Sequence, residues 1–177
     1  FNTTKPTQEQ LRKPFINRFW CDIPQNGEIA FFDRGWYFEY SKKNKESINI
    51  FERQLRDNGY LVIKIFLHIT KEEQKARFDR LLASKNTAWR VTDKDLKENK
   101  NYDKSYKKYD EMLEETNTEY APWNVISGMD KTEAMHEILS IIVENIEARI
   151  KSNDGDGIGI RPEDMQHELV DMPKLKD

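Results

Sequence analysis

Apolar and polar positions fall in blocks along the chain, and the blocks alternate between strand and helix patterns. The organising stretch is Glu28-Ile29-Ala30-Phe31-Phe32-Asp33-Arg34-Gly35-Trp36-Tyr37. Asn26-Gly27 before it is turn chemistry. Ile29 to Phe32 is continuously apolar, the pattern of a strand covered on both faces in a parallel sheet. Tyr60 to Ile69 is a second strand, nearly all apolar and rich in β-branched residues, with Lys64 and His68 as its polar members. Trp123 to Ser127 is a short third strand.

Helical spacing occupies the intervals. Thr7 with Gln10 reads as a capping box, and Leu11, Phe15, Phe19 and Trp20 follow at helical spacing, with Pro14 placed to kink the run. Ile48, Phe51, Gln54 and Leu55 mark one helix face ending near Asn58-Gly59, where glycine suits the position after a helix end. Thr70 with Glu73 caps a helix through Phe78, Leu81 and Leu82. Thr92 with Asp95 opens a longer helical region carrying Tyr102, Tyr106, Tyr109 and Leu113. Asp130 with Glu133 caps a last helix whose buried stripe is predicted as Met135, Ile138, Leu139, Ile142 and Ile146. From Lys151 periodicity is lost, so residues 151–177 read as a linker or tail. Asp154 onward mimics a calcium loop, but Met165 occupies the twelfth position, where glutamate is required. Strands alternating with helices predict a doubly wound parallel α/β sheet.

Composition changes this picture in two places. Cys21 is the single cysteine of 177 residues, which excludes a disulfide framework and points to a reducing compartment. It reads as a small buried apolar residue. The net charge of -3 conceals an asymmetry: residues 71–108 carry twelve Lys/Arg against seven Asp/Glu, and residues 109–177 carry six against seventeen. A basic middle can meet a polyanion, although solvated helix faces account for most such runs. No apolar stretch is long enough to span a membrane, and no signal-peptide pattern opens the chain. A cytoplasmic protein is expected.

The chemistry concentrates at Asp33 and Arg34. Ligands of parallel α/β sheets bind beyond the carboxyl ends of the strands. There an acid can hold a metal ion and a guanidinium can grip phosphate. A local Asp–Arg ion pair closing the strand is the competing reading. His68, His136 and His167 lie far apart without ligand spacing. No Gly-x-Ser-x-Gly elbow and no G-x-x-x-x-G-K loop occurs. What remains is the acid–arginine strand end, then Arg77, Arg80 and Arg90 after the second strand. Phosphoryl transfer needs positive groups and alignment more than covalent chemistry.

An ordered set of blocks carries a family resemblance. It comprises Pro6-Thr7 through Phe19-Trp20, Phe32 through Tyr37, Phe51-Glu52-Arg53-Gln54-Leu55, and Phe66-Leu67-His68-Ile69 with Lys71-Glu72-Glu73-Gln74. Arg77-Phe78, Asp110-Glu111-Met112 and Thr118-Glu119-Tyr120-Ala121-Pro122-Trp123 complete it. From about Lys5 to about Ile146 the chain resembles the type-2 polyphosphate kinase family, which moves phosphate between inorganic polyphosphate and AMP or ADP. The resemblance implies a P-loop-kinase-like three-layer fold over residues 1–150, with a helical lid at about 84–117 and Mg²⁺ as cofactor. It places Asp33 near the Mg²⁺, Arg34 on phosphate, Arg18 by the phosphate channel, and Arg77, Arg80 and Arg90 in or beside the lid. No nucleic-acid or membrane partner is implied, and a homo-oligomer is.

The family's first phosphate loop is expected before Phe1, so the isolated chain is expected to be inactive. Asp171-Met172-Pro173-Lys174-Leu175 resembles the joint between the halves of duplicated members, which implies a second homologous domain. Gly35 stands where serine is usual, Ala88 where a basic residue is common, and Phe38-Glu39-Tyr40 replaces a segment that usually carries one. These departures leave a non-catalytic half that supports an active partner domain as one alternative. A nucleoside or nucleoside-monophosphate kinase is another, although the Tyr-Ala-Pro-Trp block does not belong to such enzymes.

Overall fold

The computed structural model describes residues 1–25 and 27–153. Its helices are α1 (Asn17–Trp20), α2 (Lys45–Asp57), α3 (Lys71–Leu82), α4 (Asp93–Lys100), α5 (Tyr102–Glu115) and α6 (Lys131–Asn153). Strands β1 (Lys64–His68) and β2 (Trp123–Ser127) pair in parallel, with Lys64 opposite Trp123 and His68 opposite Ser127. A parallel pair needs a crossover, and α3, α4 and α5 supply it. The α/β class expected from the pattern is the one observed.

Local signals work where nothing competes with them. The Thr70 hydroxyl accepts from the Glu73 amide at 3.2 Å and starts α3. Thr92 and Asp95 cap each other reciprocally at the start of α4, and Asp130 Oδ1 accepts from the Glu133 amide at 2.9 Å. A Thr, Asp or Ser cap of this kind contributes about 1 kcal/mol. At the end of α2, Gly59 has φ +85°. The Tyr60 amide donates to the Leu55 carbonyl at 3.0 Å and the Gly59 amide to Arg56 at 2.9 Å. That is the six-to-one and five-to-two pattern that a left-handed residue permits.

Five expectations are corrected. The reciprocal Thr7–Gln10 box forms, at 3.2 and 2.9 Å. It leads only into a 3-10 turn, Gln10–Arg12, because Pro14 separates that turn from the four-residue α1. The strand expected at Ile29–Phe32 does not form. Asp33 makes one isolated parallel bridge with Asn2, and Ile29 and Phe31 are 68% and 69% exposed, since a strand needs a partner along its whole length. Cys21 is exposed rather than buried. In α6, Met135 and Leu139 are exposed, while Ala134 is buried and Ile138, Ile142 and Ile146 are partly covered, because β2 backs only a narrow face of the helix. That helix also continues through Asn153, three residues into the stretch expected to be a tail; residues 154–177 lie outside the described part.

The core sits beneath the turn that follows Asp33. Ile48, Phe51 and Leu55 of α2 pack against Phe19, Trp36, Tyr40 and Met112, all buried. Trp36 meets the Phe51 ring edge-on at 5.0 Å and Phe19 edge-on at 6.1 Å. Truncating a fully buried ring such as Phe51 to alanine costs about 3–5 kcal/mol. Polar ties close the periphery: Glu115 accepts from Lys45 Nζ at 2.7 Å and from Tyr40 Oη at 2.5 Å.

Those ties make stability pH-dependent. The hydrogen bond from Lys45, then that from Tyr40, lowers the Glu115 carboxyl below its ordinary value of 4.5. A depressed carboxyl contributes stability above its unfolded value and loses it as pH falls through the folded one. Thermal melts of wild type and Glu115→Gln should therefore differ near neutrality, with wild type the more stable. The two should converge as pH drops below 4.5; a constant difference would contradict this assignment.

Candidate active site

The corner Asp33-Arg34-Gly35 is built on unusual backbone. Arg34 has φ +65° and Gly35 φ +49°, a region costly for residues with a Cβ. A Cβ at Gly35 would also stand 3.3 Å from the Phe32 Cβ. The Asp33 amide donates to the Phe1 carbonyl at 2.8 Å, and its carbonyl accepts from the Thr3 amide at 3.3 Å. Beyond Gly35 the chain enters a 3-10 turn, Gly35–Glu39.

Beneath that turn lies the most buried polar cluster among the described residues. Glu52, Lys64 and Thr116 are 0%, 4% and 0% exposed. Glu52 Oε1 accepts from Trp36 Nε1 at 2.9 Å and from the Tyr37 hydroxyl. Its Oε2 accepts from Lys64 Nζ at 3.0 Å. Lys64 Nζ also donates to the Thr116 carbonyl at 2.6 Å, and the ammonium lies 5.1 Å from the Trp123 ring centre and 5.6 Å from that of Tyr37. Trp123 Nε1 donates to Thr116 Oγ1 at 2.9 Å. Burial pulls the Lys64 ammonium below its ordinary value and Glu52 pulls it back up. Burial and then the Glu52 charge push the Tyr37 phenol up, so it remains a donor. Removing one partner from such a pair costs about 3–5 kcal/mol.

The Asp33 carboxylate and the Arg34 guanidinium are exposed. They form no ion pair with each other among the described residues, which removes the reading of a local pair that closes a strand. Arg34 lies over the Phe38 ring at 5.7 Å. Arg18 is otherwise committed: its side chain is nearly buried and lies 3.1 Å from Glu39 Oε1, close but out of hydrogen-bond alignment, and it donates to the Thr4 carbonyl at 3.0 Å. Arg77 and Arg80 converge on Glu73 at 2.7 and 3.0 Å. Arg77 also ties the start of the β2–α6 connection, donating to Gly128 O at 2.5 Å and Met129 O at 3.1 Å. Arg90 ends an exposed 3-10 turn, Ala88–Arg90. At the end of β1, His68 Nε2 stands 3.0 Å from Tyr102 Oη, which itself donates to the Ile69 carbonyl at 2.6 Å.

Among the described residues no group of three or more His, Cys, Asp or Glu could hold a metal by itself. Asp33 offers one exposed carboxylate. That suits Mg²⁺, which keeps several waters and takes one or two protein carboxylates together with substrate phosphates.

The site is thus an acid–arginine corner beside a parallel α/β crossover unit, with Arg77 and Arg80 on α3, the first crossover helix. The family model described as Polyphosphate kinase 2 (PPK2) matches residues 2–154, and the chain belongs to that family. It is 30% identical over 161 residues to a polyphosphate:AMP phosphotransferase of Pseudomonas aeruginosa, an alignment covering 84% of this chain and 32% of that protein. It is also 30% identical over 155 residues to an AMP/ADP-polyphosphate phosphotransferase of Meiothermus ruber, covering 80% and 58%. The crystal structure of polyphosphate kinase 2 from Arthrobacter aurescens TC1 superposes with a TM-score of 0.79 at 26% identity, covering 84% of this chain and 57% of that one. The chain thus spans between a third and three-fifths of these relatives.

Sequence reasoning located the Asp33–Arg34 corner and missed the cluster beneath it. The signal was present: Glu52 lies four residues after Ile48 and three before Leu55, on the apolar stripe, while Gln54, expected on that face, is exposed. Gly35 gives a direct test. Its left-handed backbone and the close Phe32 contact predict that Gly35→Ala destabilises by about 1 kcal/mol, read as a lower denaturant midpoint with unchanged slope. A gain in stability would mean the corner relaxes freely.

Proposed function

We propose that the protein carrying this chain transfers phosphate between inorganic polyphosphate and AMP or ADP, with Asp33 holding Mg²⁺ and Arg34 contacting the phosphate chain. The observation carrying this reading is that both charged groups of the corner are exposed and unpaired with each other, on strained backbone, within a chain of the polyphosphate kinase 2 family. Bound Mg²⁺ would supply neutralisation of the phosphate charge. The Asp33 carboxylate holds that ion in place, and the Arg34 fork orients phosphate oxygens bidentately. Arg90, the single arginine of residues 84–117, is exposed and bears no ion pair among the described residues, which leaves it available to substrate. Within that lid, α4 buries no side chain and is the part that would move most easily. No helix among the described residues is long and apolar enough to cross a membrane.

A second reading has its own support. Arg18, Arg77 and Arg80, all expected on substrate, are engaged with Glu39, Glu73 and backbone carbonyls. That is how a half retained as scaffold for an active partner domain would use them. One experiment separates the two. In the full-length protein with Mg²⁺, polyphosphate and AMP or ADP, Asp33→Asn and Arg34→Met should each lower nucleotide phosphorylation at least about 100-fold. Polyphosphate-dependent activity that survives both substitutions would assign the chemistry to another domain. Activity with ATP as donor and none with polyphosphate would defeat both readings.

A further inference from the structure

The Glu52–Lys64 pair is a fully buried ion pair, which is costly to desolvate. A pair that only joined α2 to β1 would need one contact, between Oε2 and Lys64. Here the carboxylate is divided. Oε1 is given wholly to two donors on consecutive residues, Trp36 and Tyr37, which sit two and three positions after Arg34. The Tyr37 oxygen can itself accept, and Trp36 and Thr116 stand close to it, but the neighbouring ammonium is a donor only, and Glu52 Oε1 is the acceptor that the indole N–H and the phenol O–H share. The corner itself has little else to fix it: Arg34 makes no side-chain cap to the following turn, and its φ of +65° is strained. Such strain persists only where the surroundings over-determine the backbone.

We infer that Glu52 is a positioning residue for the Asp33–Arg34 corner, acting through the Trp36 and Tyr37 hydrogen bonds, with Lys64 as the counter-charge that lets the carboxylate stay buried. The corner is clamped on both sides: the Asp33 backbone is pinned to Phe1 and Thr3, and the Trp36–Tyr37 step is pinned to Glu52. Between the clamps, Arg34 and Gly35 have no freedom to relax out of the left-handed region. The kinetic consequence rests on the phosphotransfer reading above; the conformational consequence does not.

Two double variants of the full-length protein separate positioning from charge pairing. Glu52→Gln with Lys64→Met removes both charges but keeps an acceptor oxygen for Trp36 and Tyr37. Glu52→Leu with Lys64→Met removes the charges and the acceptor. Tyr37→Phe is the third variant; it leaves the ion pair whole and deletes one donor, so the test stands even where the leucine variant does not fold. Two quantities are read on each folded variant: kcat and KM for polyphosphate-dependent transfer, and the rate of limited tryptic cleavage after Arg34, followed by mass spectrometry. The leucine variant and Tyr37→Phe should lose about 10–100-fold in kcat with a smaller change in KM, and both should be cut faster at Arg34. The glutamine variant should stay near wild type in both. Equal kcat and equal cleavage across folded variants would overturn the inference. A wild type that transfers no phosphate, together with faster cleavage in the leucine and phenylalanine variants, would overturn the phosphotransfer reading and leave the positioning role standing.

Discussion

One buried carboxylate sets the terms for the surrounding structure. Glu52 is wholly removed from water, and a charge in that position is tolerated only when paired and hydrogen-bonded. Its partners come from the 3-10 turn after Gly35 and from the first residue of β1. Lys64 in turn reaches the end of α5 through the Thr116 carbonyl, and Thr116 reaches the first residue of β2 through Trp123. Five segments distant in sequence are thus fixed by one set of donors and acceptors. A purely apolar core of equal volume could be as stable, but it would tolerate slippage of α2 against β1. Hydrogen bonds with fixed partners tolerate much less, and the network specifies register as well as contact.

That rigidity explains the difference between the arginines. Positive charge on this chain is spent in two ways. Arg77 is a structural tie, joining α3 to the residues that follow β2, and Arg80 shares its carboxylate. Arg34 is placed by its backbone and lies over the Phe38 ring at 5.7 Å, and its guanidinium makes no ion pair or hydrogen bond among the described residues. A guanidinium committed to a carboxylate must break that bond before it serves a phosphate; one presented by a fixed backbone needs no such exchange. The ordering of Asp33 and Arg34 before substrate arrives is the form of preorganisation that electrostatic catalysis depends on.

The parts of this arrangement legible in the sequence are those set by local chemistry. Caps at Thr70, Thr92 and Asp130 and the glycine after α2 all need only neighbours within a few residues. Asp33 and Arg34 stood out as an acid and a base closing an apolar run, within an ordered set of motif blocks. The errors have the opposite cause. The strand at 29–33 depends on partners along its length, Cys21 on what covers it, and Met135 and Leu139 on how wide a surface β2 presents. None of these is encoded within the segment itself. Glu52 falls between: its place on the apolar stripe was visible, but its meaning required Lys64, Trp36 and Tyr37 to be brought together.

The same contrast divides the 84–117 region energetically. Local opening is governed by how much apolar surface and how many buried bonds must be given up. α4 buries no side chain and is held to α3 by polar contacts, Asn99 donating to the Lys71 carbonyl at 3.1 Å and to Gln74 Oε1 at 2.9 Å. α5 ends in Met112 and Thr116, both in or against the core. The junction is Asn101, whose side chain donates to the Lys97 carbonyl at 3.0 Å at the end of α4 and makes no cap at the start of α5. Displacing α4 therefore costs a few part-buried hydrogen bonds, each worth about 1 kcal/mol, whereas displacing the end of α5 would pull on Lys64 through Thr116 and so on Glu52. Movement of residues 84–117 as one piece would loosen the corner, whereas bending at Asn101 would leave it rigid; the distribution of burial sets that difference.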